Sequence, residues 1–136
     1  MASWNDVRRI ALGLPGTSEV PSRGSAQWRV NNKNFVWERP LHRTDLEALG
    51  EDAPEGPIIG VRVADLGVKE ALLADDPDCC FTIPHFDGYP AVLVLLDRIG
   101  VAELDELLVE AWLDRAPKRL AKEYLEQERQ RNPNLS

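Results

Sequence analysis

The side chains with the widest chemical range in this sequence are two histidines and two cysteines. His85 lies in the sequence P-H-F-D-G-Y-P, whereas His42 lies in a different predicted loop. An imidazole can bind a metal or transfer a proton, but either function needs partner side chains. No carboxylate stands at metal-ligand spacing from either histidine. We therefore interpret His85 as a structural or hydrogen-bonding residue, with ligand binding as the alternative.

Neither the cysteines nor the acidic runs form a recognisable site. Cys79 and Cys80 are neighbours, so a strain-free disulfide between them is implausible, and nothing nearby would lower a thiol pKa. We interpret both as small apolar residues of a strand. The acidic run Asp75, Asp76 and Asp78 lacks the glycine and the distal glutamate of a calcium-binding EF-hand loop. The sequence therefore predicts no catalytic residue, no metal and no cofactor.

Charge is distributed unevenly along a chain whose net charge is −7. The segment from Arg8 to Arg43 holds seven basic and two acidic residues, although an acidic protein as a whole is repelled by polyanions. A local basic surface can offset that repulsion. The nucleic-acid-binding candidates are Arg23, Arg29, Lys33, Arg39 and Arg43. The alternatives are a solvated strand face or internal pairing with the acidic segment that follows.

Four tryptophans are many for 136 residues. We expect Trp28 and Trp37 to lie on one face of a hairpin, as part of an aromatic core beneath a sheet. The alternative is that they line a cleft with Arg62 and His85, in which a small acidic ligand or a base stacks.

These residues must be positioned by elements that the hydrophobic pattern predicts. Ser3 and Asp6 resemble a capping box that begins a helix ending at Pro15-Gly16, and the segment 17–25 reads as a polar loop. Strict alternation predicts a hairpin of strands 26–30 and 35–38 around a turn at 31–34. Arg29 then projects from the face opposite Trp28.

The remainder of the chain alternates between helices and strands. Thr44 with Glu47 predicts a second capping box, for a short helix that ends at Gly50. The next helix begins at Asp65, with an apolar face of Leu66, Val68, Ala71 and Leu72. The remaining predicted elements are strands 58–63, 79–83 and 91–96, a helix over 101–114 and a last helix after Pro117. Since 91–96 holds no polar residue, we expect a buried interior strand.

This order predicts a single α+β domain over residues 1–128, followed by a flexible tail at 129–136. Its core is one mostly antiparallel sheet of about five strands, flanked by N- and C-terminal helices. No apolar run approaches membrane-spanning length and no secretory h-region follows the first residues. We therefore expect a cytoplasmic protein with no membrane partner.

Five motifs in order resemble the MmcQ/YjbR family of small bacterial proteins, in an actinobacterial-type variant. They are L-P-G at 14–16, W-R-V-N-N-K-N-F at 28–35, G-V-R-V at 60–63, P-H-F-D-G-Y-P at 84–90 and A-W-L-D-R-A-P-K-R-L at 111–120. Many relatives carry Ser-Tyr at the positions of Ala111-Trp112, and Lys in place of Arg62. The resemblance implies an antiparallel sheet of the double-wing type with helices at both chain ends, and DNA as a partner.

The sequence thus supports two functions. The first is a non-enzymatic MmcQ/YjbR-like domain that binds DNA weakly through its basic β-hairpin. The alternative is a module that binds a small molecule or a protein partner in a cleft on the sheet, using Trp28, Trp37, Arg62 and His85.

Overall fold

A computed structural model describes residues 2–22 and 24–131. Within these residues one sheet of six strands runs in the order β1-β2-β3-β4-β6-β5, and every neighbouring pair is antiparallel. The strands are β1 (Thr17–Ser22), β2 (Ser25–Val30), β3 (Lys33–Glu38), β4 (Ile58–Arg62), β5 (Cys80–Phe81) and β6 (Ala91–Leu95). The predicted α+β class is confirmed, with one strand more than expected.

Five α-helices accompany the sheet in the described part of the chain. They are α1 (Trp4–Gly13), α2 (Arg43–Leu49), α3 (Leu66–Asp75), α4 (Val101–Arg115) and α5 (Lys118–Arg131). The last helix therefore continues three residues into the predicted tail, while 132–136 lie outside the described residues. In the described ranges, no helix combines the length and the apolar content needed to cross a membrane.

Side-chain caps fix where the helices begin. The Ser3 hydroxyl accepts from the Asp6 N–H and the Asp6 carboxylate accepts from the Ser3 N–H, which confirms the predicted capping box. Asp65 caps α3 by accepting from the Val68 N–H at 2.9 Å. The capping box predicted at Thr44 is wrong. Helix α2 begins two residues earlier, because the Asp45 carboxylate accepts the N–H of His42 at 2.9 Å.

The extra strand is β1, which the sequence analysis assigned to a polar loop. It pairs along its whole length with β2 and lies at one edge of the sheet. An edge strand needs partners on one side only, so it tolerates Pro21, and its polar residues need not be buried. The Thr17 hydroxyl ties its start to α1 by donating to the carbonyl of Ala11 at 2.8 Å.

The main core lies between one face of the sheet and helices α1, α4 and α5. Trp112 of α4 is fully buried there, and its indole N–H donates to the carbonyl of Pro15 at 3.0 Å. Tyr124 of α5 packs edge-on against the Trp112 ring, with centroids 5.0 Å apart. Strand β6 lies inside the sheet with its first four residues buried, so the prediction of a buried interior strand at 91–96 is confirmed.

A smaller second core covers part of the opposite sheet face. It is formed by Ile58, Ile83, Phe86 and Leu93, which are all buried. The loop that follows β5 contributes two of these residues, and α2 contacts the 3₁₀ helix in that loop. Only part of this face is therefore closed by the chain's own apolar residues.

A β-bulge in the hairpin decides which face each tryptophan occupies. The turn is the dipeptide Asn31-Asn32, whose φ angles of 51° and 64° suit a two-residue hairpin turn, so β3 begins at Lys33. Trp28 then pairs with Val36 whereas the next residue pairs with Asn34, which leaves Phe35 as the extra residue. Phe35 and Val36 are both fully buried in the main core.

The bulge reverses the orientation of every β3 residue after it. Trp37 pairs with Gln27 instead of Ala26, and it joins the second core, whereas Trp28 belongs to the main core. The expectation that Trp28 and Trp37 share one face is therefore wrong.

Candidate binding cleft

An open cleft of about 530 Å³ lies on the second face of the sheet, beside β3. The loop between β5 and β6, here called the Pro84–Pro90 loop, forms its other wall. The residues that line the cleft are Asn34, Trp37, His85, Phe86, Asp87, Gly88 and Tyr89. The lining therefore combines four aromatic or imidazole rings with one amide and one carboxylate.

The position of the Trp37 indole depends on a glycine in the neighbouring strand. Gly60 pairs with Trp37, and a Cβ added to Gly60 would overlap three atoms of the indole ring. The ring therefore lies against the bare backbone of β4. Its centroid is 6.3 Å from that of Phe86. The half-buried indole thus packs on one side against the sheet, and the rest of the ring borders the cleft.

The Pro84–Pro90 loop is anchored by an aromatic cluster. It contains a 3₁₀ helix at Pro84–Phe86, and the buried Phe86 ring lies in the second core. His85 is exposed and meets the Phe86 ring at an angle of 83°, with centroids 4.9 Å apart. The Tyr89 ring also packs near Phe86, with centroids 5.9 Å apart.

A buried lysine, which the sequence analysis did not single out, holds this loop in place. The Lys69 ammonium of α3 donates to the carbonyls of Phe86 at 2.6 Å and Tyr89 at 2.9 Å. Burial lowers its pKa from the ordinary value, while the nearby Asp87 carboxylate acts in the opposite direction. The ammonium thus bridges both ends of the segment that carries Asp87 and Gly88.

The apolar face predicted for helix α3 is only partly correct, since Leu72 alone of its four residues packs against the core. Leu66 and Val68 are exposed, whereas Lys69 is buried and Leu72 and Leu73 pack against the main core. The sequence does contain a signal for the buried face, because Lys69 stands three and four residues before Leu72 and Leu73 and so shares their side of the helix.

Arg62 supports the outer wall of the cleft through Tyr89. Its guanidinium donates to the Tyr89 hydroxyl at 2.7 Å and lies 4.8 Å from the centroid of the Tyr89 ring. This geometry combines a hydrogen bond with a cation–π contact. Arg62 therefore brings a positive charge next to a residue that lines the cleft.

Arg29 contacts the cleft through Asn34. Its Nε donates to the Asn34 Oδ1 at 2.7 Å, and its Nη2 donates to the Gln27 Oε1 at 2.8 Å. Both partners are neutral, and Arg29 forms no ion pair within the described ranges. Its positive charge is therefore not balanced by an adjacent carboxylate.

One of the five residues predicted to bind nucleic acid, Arg39, lies in a buried environment that excludes contact with a phosphate. It is buried, and its guanidinium pairs with the Asp45 carboxylate at 3.0 Å and lies 5.5 Å from the Phe86 ring centroid. Burial acts to raise the pKa of Asp45, but the His42 N–H and the Arg39 charge outweigh it, and the pKa is held below its ordinary value. Arg39 is a structural residue that a phosphate cannot reach.

The other residues predicted to bind nucleic acid do not form a continuous surface with Arg39. Arg43 is exposed on α2 and pairs with Glu47 at 3.4 Å. Lys33 is exposed beside the hairpin turn, next to the half-buried Arg29, and Arg23 lies outside the described residues. In the part of the hairpin that the structure describes, the predicted basic set thus reduces to Arg29 and Lys33.

Two of the four residues predicted for the cleft line it, and a third contacts a lining residue. Trp37 and His85 line it and Arg62 lies behind Tyr89, but Trp28 is on the other side of the sheet. Trp28 is fully buried, and its indole N–H donates to the Glu19 carboxylate at 3.0 Å. The sequence analysis missed Asn34 as a lining residue, because it assigned this residue to the turn at 31–34, whereas β3 already begins at Lys33.

Metal-binding and thiol chemistry find no support in the described residues. No group of three or more His, Cys, Asp or Glu side chains there is placed to hold a metal ion. Cys79 and Cys80 are both free and buried, with their sulfur atoms 3.6 Å apart, and burial raises the pKa of each thiol. Neutral buried thiols are poor nucleophiles. Cys80 begins β5, whereas Cys79 lies in the turn just before it, so the strand predicted over 79–83 is limited to Cys80–Phe81.

Comparison with known proteins agrees with the fold and the motifs. A family model described as YjbR matches residues 12–114. Uncharacterized proteins of Mycobacterium tuberculosis and Mycobacterium bovis are 55% identical over 128 residues, which is 92% of this chain and 97% of theirs. A crystal structure of a Deinococcus radiodurans protein with the family-model domain DUF419 superposes with a TM-score of 0.62. It is 19% identical, and the match covers 83% of this chain and 78% of that one.

Proposed function

The chain belongs to the YjbR family. For this member of the family we propose that the protein is a non-enzymatic binding module whose cleft binds a planar, negatively charged small molecule. The observation that carries the proposal is the placement of the Trp37 indole against Gly60, at the side of an open cleft. Aromatic rings held in this way stack on flat ligands.

Charge defines the second property of the ligand. The guanidinium groups of Arg29 and Arg62 contact the lining residues Asn34 and Tyr89. Neither guanidinium has a carboxylate partner in the described ranges, so both favour an anion nearby. Asp87 is the only carboxylate among the described lining residues. A nucleoside monophosphate has both features, a planar base and a phosphate.

We expect guanosine 5′-monophosphate to bind the wild-type protein, and Trp37→Leu to weaken that binding by roughly 10–100-fold. Loss of one stacked aromatic typically costs about 1–3 kcal/mol of binding free energy. Isothermal titration calorimetry measures the affinity. Because the unpaired charges of Arg29 and Arg62 make the surroundings of the cleft positive, guanosine without its phosphate should bind less tightly, and added salt should reduce this difference.

The matched control is Trp4→Leu. Trp4 is another half-buried tryptophan, but it packs against the main core on the other side of the sheet. The proposal fails if the nucleotide does not bind at millimolar concentration, or if both leucine variants bind it equally well.

A second candidate, weak binding to DNA through the β-hairpin, is favoured by the position of Lys33 and Arg29. Lys33 is exposed at the turn, and neither cation has a carboxylate partner within the described ranges. Cations at the end of a hairpin can contact phosphates without reading the base sequence. The family resemblance implies the same partner.

If this hairpin contacts two phosphates, Arg29→Ala with Lys33→Ala should weaken binding to random duplex DNA. The slope of log affinity against log salt should become shallower by roughly two units, since each phosphate contact contributes about 0.9. A salt titration by fluorescence anisotropy measures the slope. The control is Arg119→Ala, which removes an exposed charge from α5. Absence of binding to wild-type protein at low salt would end this candidate.

A further inference from the structure

We propose that the cleft recognises the hydrogen-bonding edge of a guanine base, with Asn34 as the donor and Asp87 as the acceptor. Arg29 is a positioning residue that fixes the orientation of the Asn34 amide. This inference rests on the proposed function and specifies its ligand.

The orientation of the Asn34 amide follows from chemistry. A guanidinium has only donors, so the Asn34 atom that faces the Arg29 Nε at 2.7 Å must be the oxygen. Arg29 is itself held by Gln27 at 2.8 Å, which prevents it from turning away. The Asn34 NH₂ group has no hydrogen-bond partner in the described part of the chain. It is therefore available at the cleft, which Asn34 lines.

Asp87 supplies the complementary acceptor. Asp87 is a lining residue of the same cleft, and its carboxylate forms no ion pair within the described ranges. The backbone around it is fixed, because the Asp87 N–H donates to the Pro84 carbonyl at 3.1 Å. Lys69 also binds the carbonyls immediately before and two residues after it. The loop thus holds the backbone of Asp87 in a set position beside the cleft.

A ligand that pairs with both the Asn34 NH₂ group and the Asp87 carboxylate needs an acceptor and adjacent hydrogen-bond donors on the same edge of a planar ring. Guanine meets this need most fully. Its O6 accepts one hydrogen bond, and its N1–H and N2–H₂ can donate to the two oxygens of one carboxylate. Adenine, cytosine and uracil each offer fewer donors to a carboxylate. Stacking on Trp37 and pairing at the edge would then act on the same base.

The test compares guanosine with purine riboside, whose ring stacks similarly but has neither O6 nor a donor at N1 or C2. We expect wild-type protein to bind guanosine at least tenfold more tightly, by calorimetry. Asp87→Asn should lower the guanosine affinity roughly tenfold or more, because a charge-assisted pairing is lost, and should leave purine riboside unaffected.

Two further variants test Asn34 and Arg29. Asn34→Asp keeps an oxygen for Arg29 to bind, replaces the NH₂ donor with an acceptor oxygen and adds a negative charge. Guanosine is uncharged, so its affinity should fall through loss of the donor to O6 while the fold is retained. Arg29→Met frees the Asn34 amide to rotate. It should reduce the ratio of guanosine to purine riboside affinity severalfold, whereas loss of a merely structural contact would lower both affinities together.

The outcomes separate the two proposals. Equal binding of guanosine and purine riboside, both weakened by Trp37→Leu, would overturn edge recognition and leave the stacking cleft in place. A guanosine preference that survives Asp87→Asn and Asn34→Asp would also overturn the inference. If neither nucleoside nor the nucleotide binds, both proposals are wrong.

Discussion

Replacement of Trp28 by alanine should lower the free energy of unfolding by about 3–5 kcal/mol, the usual range for a large buried aromatic. The indole is only 1% exposed and lies in the main core, so truncation leaves a cavity beneath the sheet. The Glu19 carboxylate also loses the indole N–H that it accepts. Urea denaturation followed by far-UV circular dichroism measures the change.

Trp28→Phe provides a second measurement if the alanine variant does not fold. It should be less destabilised and should bind the nucleotide as wild type does, since Trp28 faces away from the cleft. Trp37→Leu should behave in the opposite way, with the larger loss in binding. Loss of nucleotide binding in a well-folded Trp28→Phe protein would contradict the separation of the two tryptophans.

Asp45→Ala should lower the free energy of unfolding by about 3–5 kcal/mol, because it leaves the buried Arg39 guanidinium without its charge partner. The same change removes the carboxylate that accepts the His42 N–H at the start of α2. Glu47→Ala is the matched control on the same helix. It breaks only the exposed pair with Arg43 and should change stability by about 0.5 kcal/mol or less.

The same carboxylate predicts a pH dependence. The pKa of Asp45 is below its ordinary value of 3.8 in the folded protein, so the folded state holds this proton less tightly than the unfolded chain. Its contribution to stability is therefore complete above pH 3.8 and is lost as pH falls through the lower folded value. The difference in stability between wild type and Asp45→Asn should shrink over that acidic range. A constant difference would contradict the assignment.

Most of the fold could be predicted from the sequence, because its local signals agree with its tertiary contacts. The Ser3 capping box, the apolar run of β6 and the α4 stripe containing Trp112 each correspond to a real element. Strand β1 was not predicted, because its mostly polar residues and Pro21 show no alternating apolar pattern, although its partner β2 is the next strand in the sequence. The Thr44 cap failed because the buried Asp45 contact outweighed a local preference.

The site was harder to predict than the fold. The Pro84–Pro90 loop was identified, but the partners of its residues come from β3 and α3, distant in sequence. One extra residue at Phe35 moves Trp37 into the cleft and thereby separates it from Trp28. The basic segment was misread for a related reason, because sequence charge does not distinguish a buried Arg39 from an exposed Lys33.

The two edges of the sheet have a consequence for behaviour at high concentration. Strand β1 carries Pro21, which has no N–H to offer to another chain. Strand β5 is only two residues long, and Pro84 begins the 3₁₀ helix soon after it. Short or proline-bearing edges are poor templates for intermolecular strand addition. We therefore expect both edges of the six-stranded sheet to resist fibril growth and domain swapping by strand addition.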